Sequence, residues 1–73
     1  QESITLFTKP GCPFCAKAKK TLSERGLSYE EILLGKDATT TSLRAVSGQT
    51  TVPQVFIGGK HIGGSEALDA YFA

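Results

Sequence analysis

Apolar and polar positions change rhythm several times along the chain, and each change marks an element. Residues 3–8 carry Ile4, Leu6 and Phe7 among threonines, a β-branched and aromatic run short enough for a buried strand. Lys9-Pro10-Gly11 breaks it. From about 13 to 25 the apolar positions Cys15, Ala18 and Leu22 recur at helical spacing, with lysines on the other side. Pro13 suits the first helical turn, where its missing N–H has no partner to lose, and Gly26 suits a left-handed cap. Residues 28–34 read as a second strand, with Tyr29, Ile32 and Leu33 as its apolar members. Gly35-Lys36-Asp37 is a turn, and Asp37 is the expected N-cap of a short, threonine-rich helix over about 38–46. Ser47-Gly48-Gln49 closes it. Residues 51–57 are the third strand, led in by Pro53. Gly58-Gly59 matches a two-residue hairpin turn, and 60–62 return as the fourth strand. After Gly63-Gly64, Ser65 caps a last helix whose apolar side is Leu68, Tyr71 and Phe72.

The order is β-α-β-α-β-β-α. A strand, helix and strand in that order require a parallel pair with a right-handed crossover. The Gly-Gly hairpin makes the last two strands antiparallel. The expected architecture is α/β, a four-stranded mixed sheet flanked by three helices. A length of 73 residues allows one domain, 1–73. A net charge of +1 gives no footprint for nucleic acid, and Lys17, Lys19 and Lys20 read as a solvated helix face. No apolar run approaches the ~20 residues of a membrane span, and no signal peptide is visible. The chain contains no Met and opens on Gln1, which suggests a processed chain or a domain cut from a longer protein.

Cys12-Pro13-Phe14-Cys15 holds both cysteines of the chain and falls where the first helix begins. The thiolate is the reactive form of cysteine, and unpaired N–H groups at a helix start favour negative charge. Lys9 adds a positive charge nearby. Cys12 is thus the expected nucleophile, and Cys15, one turn inward, the sulfur that resolves a mixed disulfide. A zinc site needs further ligands, and only His61 remains as a nitrogen ligand. A structural disulfide across so short a loop constrains little of the unfolded chain. Redox work points to a reducing compartment, the cytoplasm.

Together with Thr51-Val52-Pro53, Phe56-Ile57-Gly58-Gly59 and Gly63-Gly64-Ser65, this motif resembles the dithiol glutaredoxins in order and spacing, over nearly the whole chain. The resemblance implies a thioredoxin-like fold and a glutathione-dependent thiol–disulfide oxidoreductase, with glutathione as co-substrate and no metal. It also implies particular roles. Pro53 is a cis-proline beside the active site, and the Val52 backbone pairs with the cysteinyl unit of glutathione. Lys9 meets the glycyl carboxylate. Gly64 and Ser65 offer backbone N–H groups to the γ-glutamyl carboxylate, and Glu66 accepts the ammonium. Many members have Asp at that point, often followed by a second Asp, where this chain has Glu66-Ala67. Phe14 replaces the common Tyr and keeps an aromatic wall. Thr51 is a strand residue near the site or a direct contact. Thr40 and Arg44 read as helix surface, and His61 as a strand residue rather than a base.

The sequence also resembles the glutaredoxin domain of bacterial hybrid peroxiredoxin–glutaredoxins, which implies a peroxiredoxin domain as partner beside glutathionylated or disulfide-bonded proteins. An isolated domain of this kind is expected to be a monomer. Two other readings stay open: a glutathione-binding or iron–sulfur carrier module, and a thioredoxin-like donor reduced by a flavoprotein.

Overall fold

A computed structural model describes residues 3–73. The elements follow the expected order: β1 (Ile4–Thr8), α1 (Pro13–Glu24), β2 (Glu30–Leu33), α2 (Thr40–Ser47), β3 (Gln54–Ile57), β4 (Lys60–Gly63) and α3 (Ser65–Phe72). The four strands stand in the order β2-β1-β3-β4. β1 and β2 are parallel, and the other two pairs are antiparallel. Alternation along β1 divides its side chains between two faces. Ile4 and Leu6 join Ala18, Leu22, Val55, Ile57 and Leu68 in the main core under α1 and α3. Phe7 points the other way, and its ring meets Phe56 edge-on at 5.8 Å. Leu6, Leu22 and Leu68 are fully buried, each worth roughly 1.5–3 kcal/mol relative to exposure. These leucines fix α1 and α3 over β1 and β3, which sets where the start of each helix lies.

Helix α1 ends as its glycine suggests. Gly26 takes φ 70°, and the N–H groups of Gly26 and Leu27 donate to Ser23 and Leu22 carbonyls at 3.0 Å each. Arg25 then lies over the Phe72 ring, 4.3 Å from its centre. Gly63 is required for a different reason. It sits at φ 129°, and a Cβ there would stand 2.8 Å from the Ala67 Cβ, so only glycine lets β4 turn directly into α3.

The structure corrects several boundaries. Asp37 does not cap α2. Ala38 is held extended by a bridge to Leu34, so the helix starts later, and Thr39 Oγ1 accepts the Ser42 N–H at 3.1 Å instead. The Asp37 carboxylate accepts the Leu33 N–H at 3.1 Å and closes the preceding turn. β3 begins at Gln54, not Thr51, because Pro53 offers no N–H to the ladder and 51–52 bend away. β2 begins at Glu30, while Tyr29 packs half-buried against the core. Ser65 is not the cap of α3. Gly64 holds that position without a side-chain bond, and Ser65 is buried as the first helical residue. Tyr71 is 48% exposed, leaving Leu68 and Phe72 as the inward side. Among the described residues, no helix is long and apolar enough to cross a membrane.

Candidate active site

Cys12 is the N-cap of α1, with an extended backbone at φ −95° and ψ 110°. Pro13 behind it starts the helix with no N–H of its own to leave unpaired, and the Cys15 N–H meets Cys12 Sγ at 3.3 Å. The same sulfur lies 3.8 Å from the Val52 carbonyl oxygen, 40 residues along the chain. Burial works against ionisation of Cys12. It is outweighed by the Cys15 thiol, by the N–H groups of Cys15 and Phe14, and by the charge of Lys9, so the thiol is pulled below its ordinary range. Cys15 shows the reverse. It is 3% exposed, and burial, together with its hydrogen bond to Cys12 and the negative charge there, pushes it up to about 11. The proton shared by the two sulfurs therefore rests on the inner one, and the outer one is the more readily ionised. Both cysteines are free thiols in this structure.

Three recesses surround the pair. The largest, a groove of 600 Å³, is lined by Phe14, Thr51, Val52, Pro53, Gly64, Ser65 and Glu66, together with Lys17, Gln54 and Ala67. A second of 350 Å³ joins Lys9 and Cys12 to Thr40, Thr51 and Val52. Residues 51–52 are thus the wall between the two. A third of 420 Å³ holds Lys9, Cys12, Cys15, Lys19 and Glu31. All ten residues singled out from the sequence lie on one of these surfaces. The Val52–Pro53 bond is cis. Phe14 is 60% exposed and presents its ring to the groove rather than to the core. At the start of α3, Gly64 closely approaches the Pro53 carbonyl; a Cβ there would be 3.5 Å from that oxygen. Thr40 does reach the recess of Lys9, whereas Arg44 lines none of the three.

Gln54 is a site residue that the sequence reading missed. It is buried, and its Nε2 donates to the Thr51 carbonyl at 3.0 Å and to Thr51 Oγ1 at 3.3 Å. Its Oε1 is 2.7 Å from His61 Nε2. Gln54 therefore ties down the bend that forms the groove wall, and His61 supports Gln54 rather than either sulfur. The available signal was a glutamine directly after proline in an otherwise apolar strand.

A reactive helix-capping sulfur facing a cis-proline turn, on this sheet, defines a class. The glutaredoxin family profile matches residues 4–62, and the chain belongs to that family of thiol–disulfide oxidoreductases with a thioredoxin-like fold. It is 75% identical over 73 residues to the hybrid peroxiredoxin hyPrx5 of Haemophilus influenzae, covering all of this chain and 30% of that protein. It is 43% identical over 72 residues to glutaredoxin 3 of Escherichia coli, covering 93% of this chain and 87% of that one. Its fold superposes on buckwheat glutaredoxin in complex with glutathione with a TM-score of 0.86 at 37% identity, over 97% of this chain and 68% of that one.

Proposed function

We propose that residues 1–73 form a glutathione-dependent glutaredoxin domain that reduces glutathione mixed disulfides and protein disulfides. The observation that carries this reading is the acidified Cys12 sulfur, standing beside a groove with an open helix start at one end and Lys9 across the 51–52 wall. Glutathione has two carboxylates and one ammonium. Backbone N–H groups at Gly64 and Ser65 suit its γ-glutamyl carboxylate, Glu66 its ammonium and Lys9 its glycyl carboxylate. The Val52 backbone and Pro53 flank its cysteinyl unit, while Phe14 and Thr51 complete the walls. The complex of the buckwheat relative with glutathione supports the same ligand here.

In the one-cysteine route, the Cys12 thiolate attacks the glutathionyl sulfur of a mixed disulfide. The old S–S bond breaks, and the protein sulfur leaves with the electron pair. A glutathione thiolate then attacks the same glutathionyl sulfur, Cys12 departs as thiolate, and oxidised glutathione is released. In the two-cysteine route, Cys15 attacks Cys12 and expels the partner. The high identity to a hybrid peroxiredoxin favours a peroxiredoxin domain as the electron acceptor, in a reducing compartment such as the cytoplasm. The test is reduction of a small glutathione mixed disulfide with glutathione as sole reductant. Cys12→Ser abolishes it, and Cys15→Ser retains much of it. Equal loss in both variants contradicts the one-cysteine route.

A further inference from the structure

The surroundings of Cys15 differ from those of Cys12. The recess that reaches Cys15 shares no residue with the large groove, and its far side is formed by Lys19 and Glu31. Lys19 lies one helical turn beyond Cys15 on the same stripe of α1, at the i,i+4 spacing that brings side chains together. Its Nζ is 2.6 Å from Glu31 Oε2 on β2. Thr8, almost fully buried on β1, donates its hydroxyl to the same oxygen at 2.7 Å. A half-exposed ion pair contributes little to stability, so stability alone is a weak reason for anchoring this one with a buried threonine. The groups facing Cys15 are Cys12 at the helix start, the Lys9 backbone N–H before it, Lys19 on its own helix and Glu31 across from it; Tyr29 stands near Lys19.

We propose that the Lys19–Glu31 pair tunes the ionisation of Cys15 in the resolving step, with the Lys19 charge favouring the thiolate and the Glu31 charge opposing that effect. The proposal rests on the two-cysteine route described above. In the free dithiol, two of the influences that keep Cys15 protonated come from Cys12: its hydrogen bond and its charge. Once Cys12 is in a mixed disulfide it carries no charge, and both disappear. Burial then opposes ionisation, and the Lys9 N–H and the Lys19 ammonium favour it. The Cys15 proton leaves to solvent through the recess, and the thiolate attacks Cys12 Sγ. The bond from Cys12 to the partner sulfur breaks, the partner leaves as thiolate, and a Cys12–Cys15 disulfide forms. Glu31 is a poor candidate for the base. Its hydrogen bonds from Lys19 and Thr8 hold its carboxyl below the usual range, so it stays ionised and acts as a charge. Lys19 is thus a positioning residue that acts through Cys15.

The experiment loads Cys12 with 5-thio-2-nitrobenzoate and follows release of the coloured thiolate, without added thiol, across pH. Release in the wild-type protein rises with pH as Cys15 ionises. Lys19→Gln moves that rise up by about one pH unit, as expected for loss of a neighbouring charge in a partly solvated site. The more basic thiolate is also the better nucleophile, so the rate at neutral pH falls only about threefold. Lys19→Arg restores the wild-type profile. Glu31→Gln keeps the Thr8 contact but removes a negative charge, and it moves the rise to lower pH. Structural damage would displace both variants in the same direction. Shifts of the same sign, or an unmoved profile in Lys19→Gln, overturn the proposal. No release from the wild-type protein at any pH, matching Cys15→Ser, would instead overturn the two-cysteine route itself.

Discussion

Two helix starts meet at the Val52–Pro53 segment, and they are finished differently. Helix α1 begins at Cys12, whose sulfur takes the Cys15 N–H and faces the Val52 carbonyl. Helix α3 begins at Gly64, which has no side chain to offer and lies against the Pro53 carbonyl. Both ends carry unpaired N–H groups and favour negative charge. In α1 the chain's own sulfur meets that preference and is more easily ionised in doing so. In α3 the donors remain for water or, as proposed, for a ligand carboxylate. The same local physics thus acts on an internal sulfur at one helix and stays open to an external anion at the other; what separates them is whether the capping position carries a side chain.

The comparison breaks most sharply if α3 is given a carboxylate of its own. Gly64 has an ordinary backbone conformation at φ −87°, so Gly64→Asp is sterically admissible. Asp at an N-cap stabilises a helix, and the melting temperature should rise. The same carboxylate competes with the ligand, and KM for glutathione should rise roughly tenfold, equivalent to about 1.4 kcal/mol. A higher melting temperature with unchanged KM would show that α3 does not seat the carboxylate.

A smaller effect sharpens the α1 side. Cys12 alkylation by iodoacetamide should rise with pH at an inflection below that of a free thiol, because the thiolate is favoured in the fold. Lys9→Gln should raise that inflection by only ~0.3 unit, since Lys9 is exposed and its charge is screened. A shift as large as the whole displacement from an ordinary thiol would mean that the lysine, not the helix start, ionises the sulfur.

A separate effect concerns stability. The value for Cys15 in the fold, about 11, stands above its unfolded value of 9.0. Folding therefore favours the neutral thiol. That stabilisation is complete below 9.0 and is lost as pH climbs from 9.0 towards 11. Melting curves of the reduced wild-type protein should lose more over this interval than those of Cys15→Ser. Parallel decline would mean that the inner sulfur ionises as an ordinary thiol.

Much of this was legible in the chain. The stripe of Cys15, Ala18 and Leu22 and the glycine stop at Gly26 are local signals, and α1 obeys them. The misplaced cap of α2 has a non-local cause. Asp37 and Thr39 are both good caps, and the choice fell to the Leu34–Ala38 bridge, a pairing between separate segments. Gln54 was missed because its importance lies in three bonds, to Thr51 and His61, that no pattern of residue types reports. Tyr71 had the right spacing to face inward with Leu68, yet the core under α3 has room only for Leu68 and part of Phe72.

The sequence by itself determined that one cysteine sits at a helix start with the other a turn behind it. Three residues and a proline suffice for that, because capping geometry and the peptide dipoles act within a single turn. Only the tertiary structure decided what each sulfur faces. Val52 stands opposite Cys12, and Glu31 opposite Cys15, because the leucine core fixes α1 over β1 and β3 and the sheet brings β2 alongside. Such neighbours come from distant parts of the chain, and contact across that distance is a property of packing, not of any local run of residues.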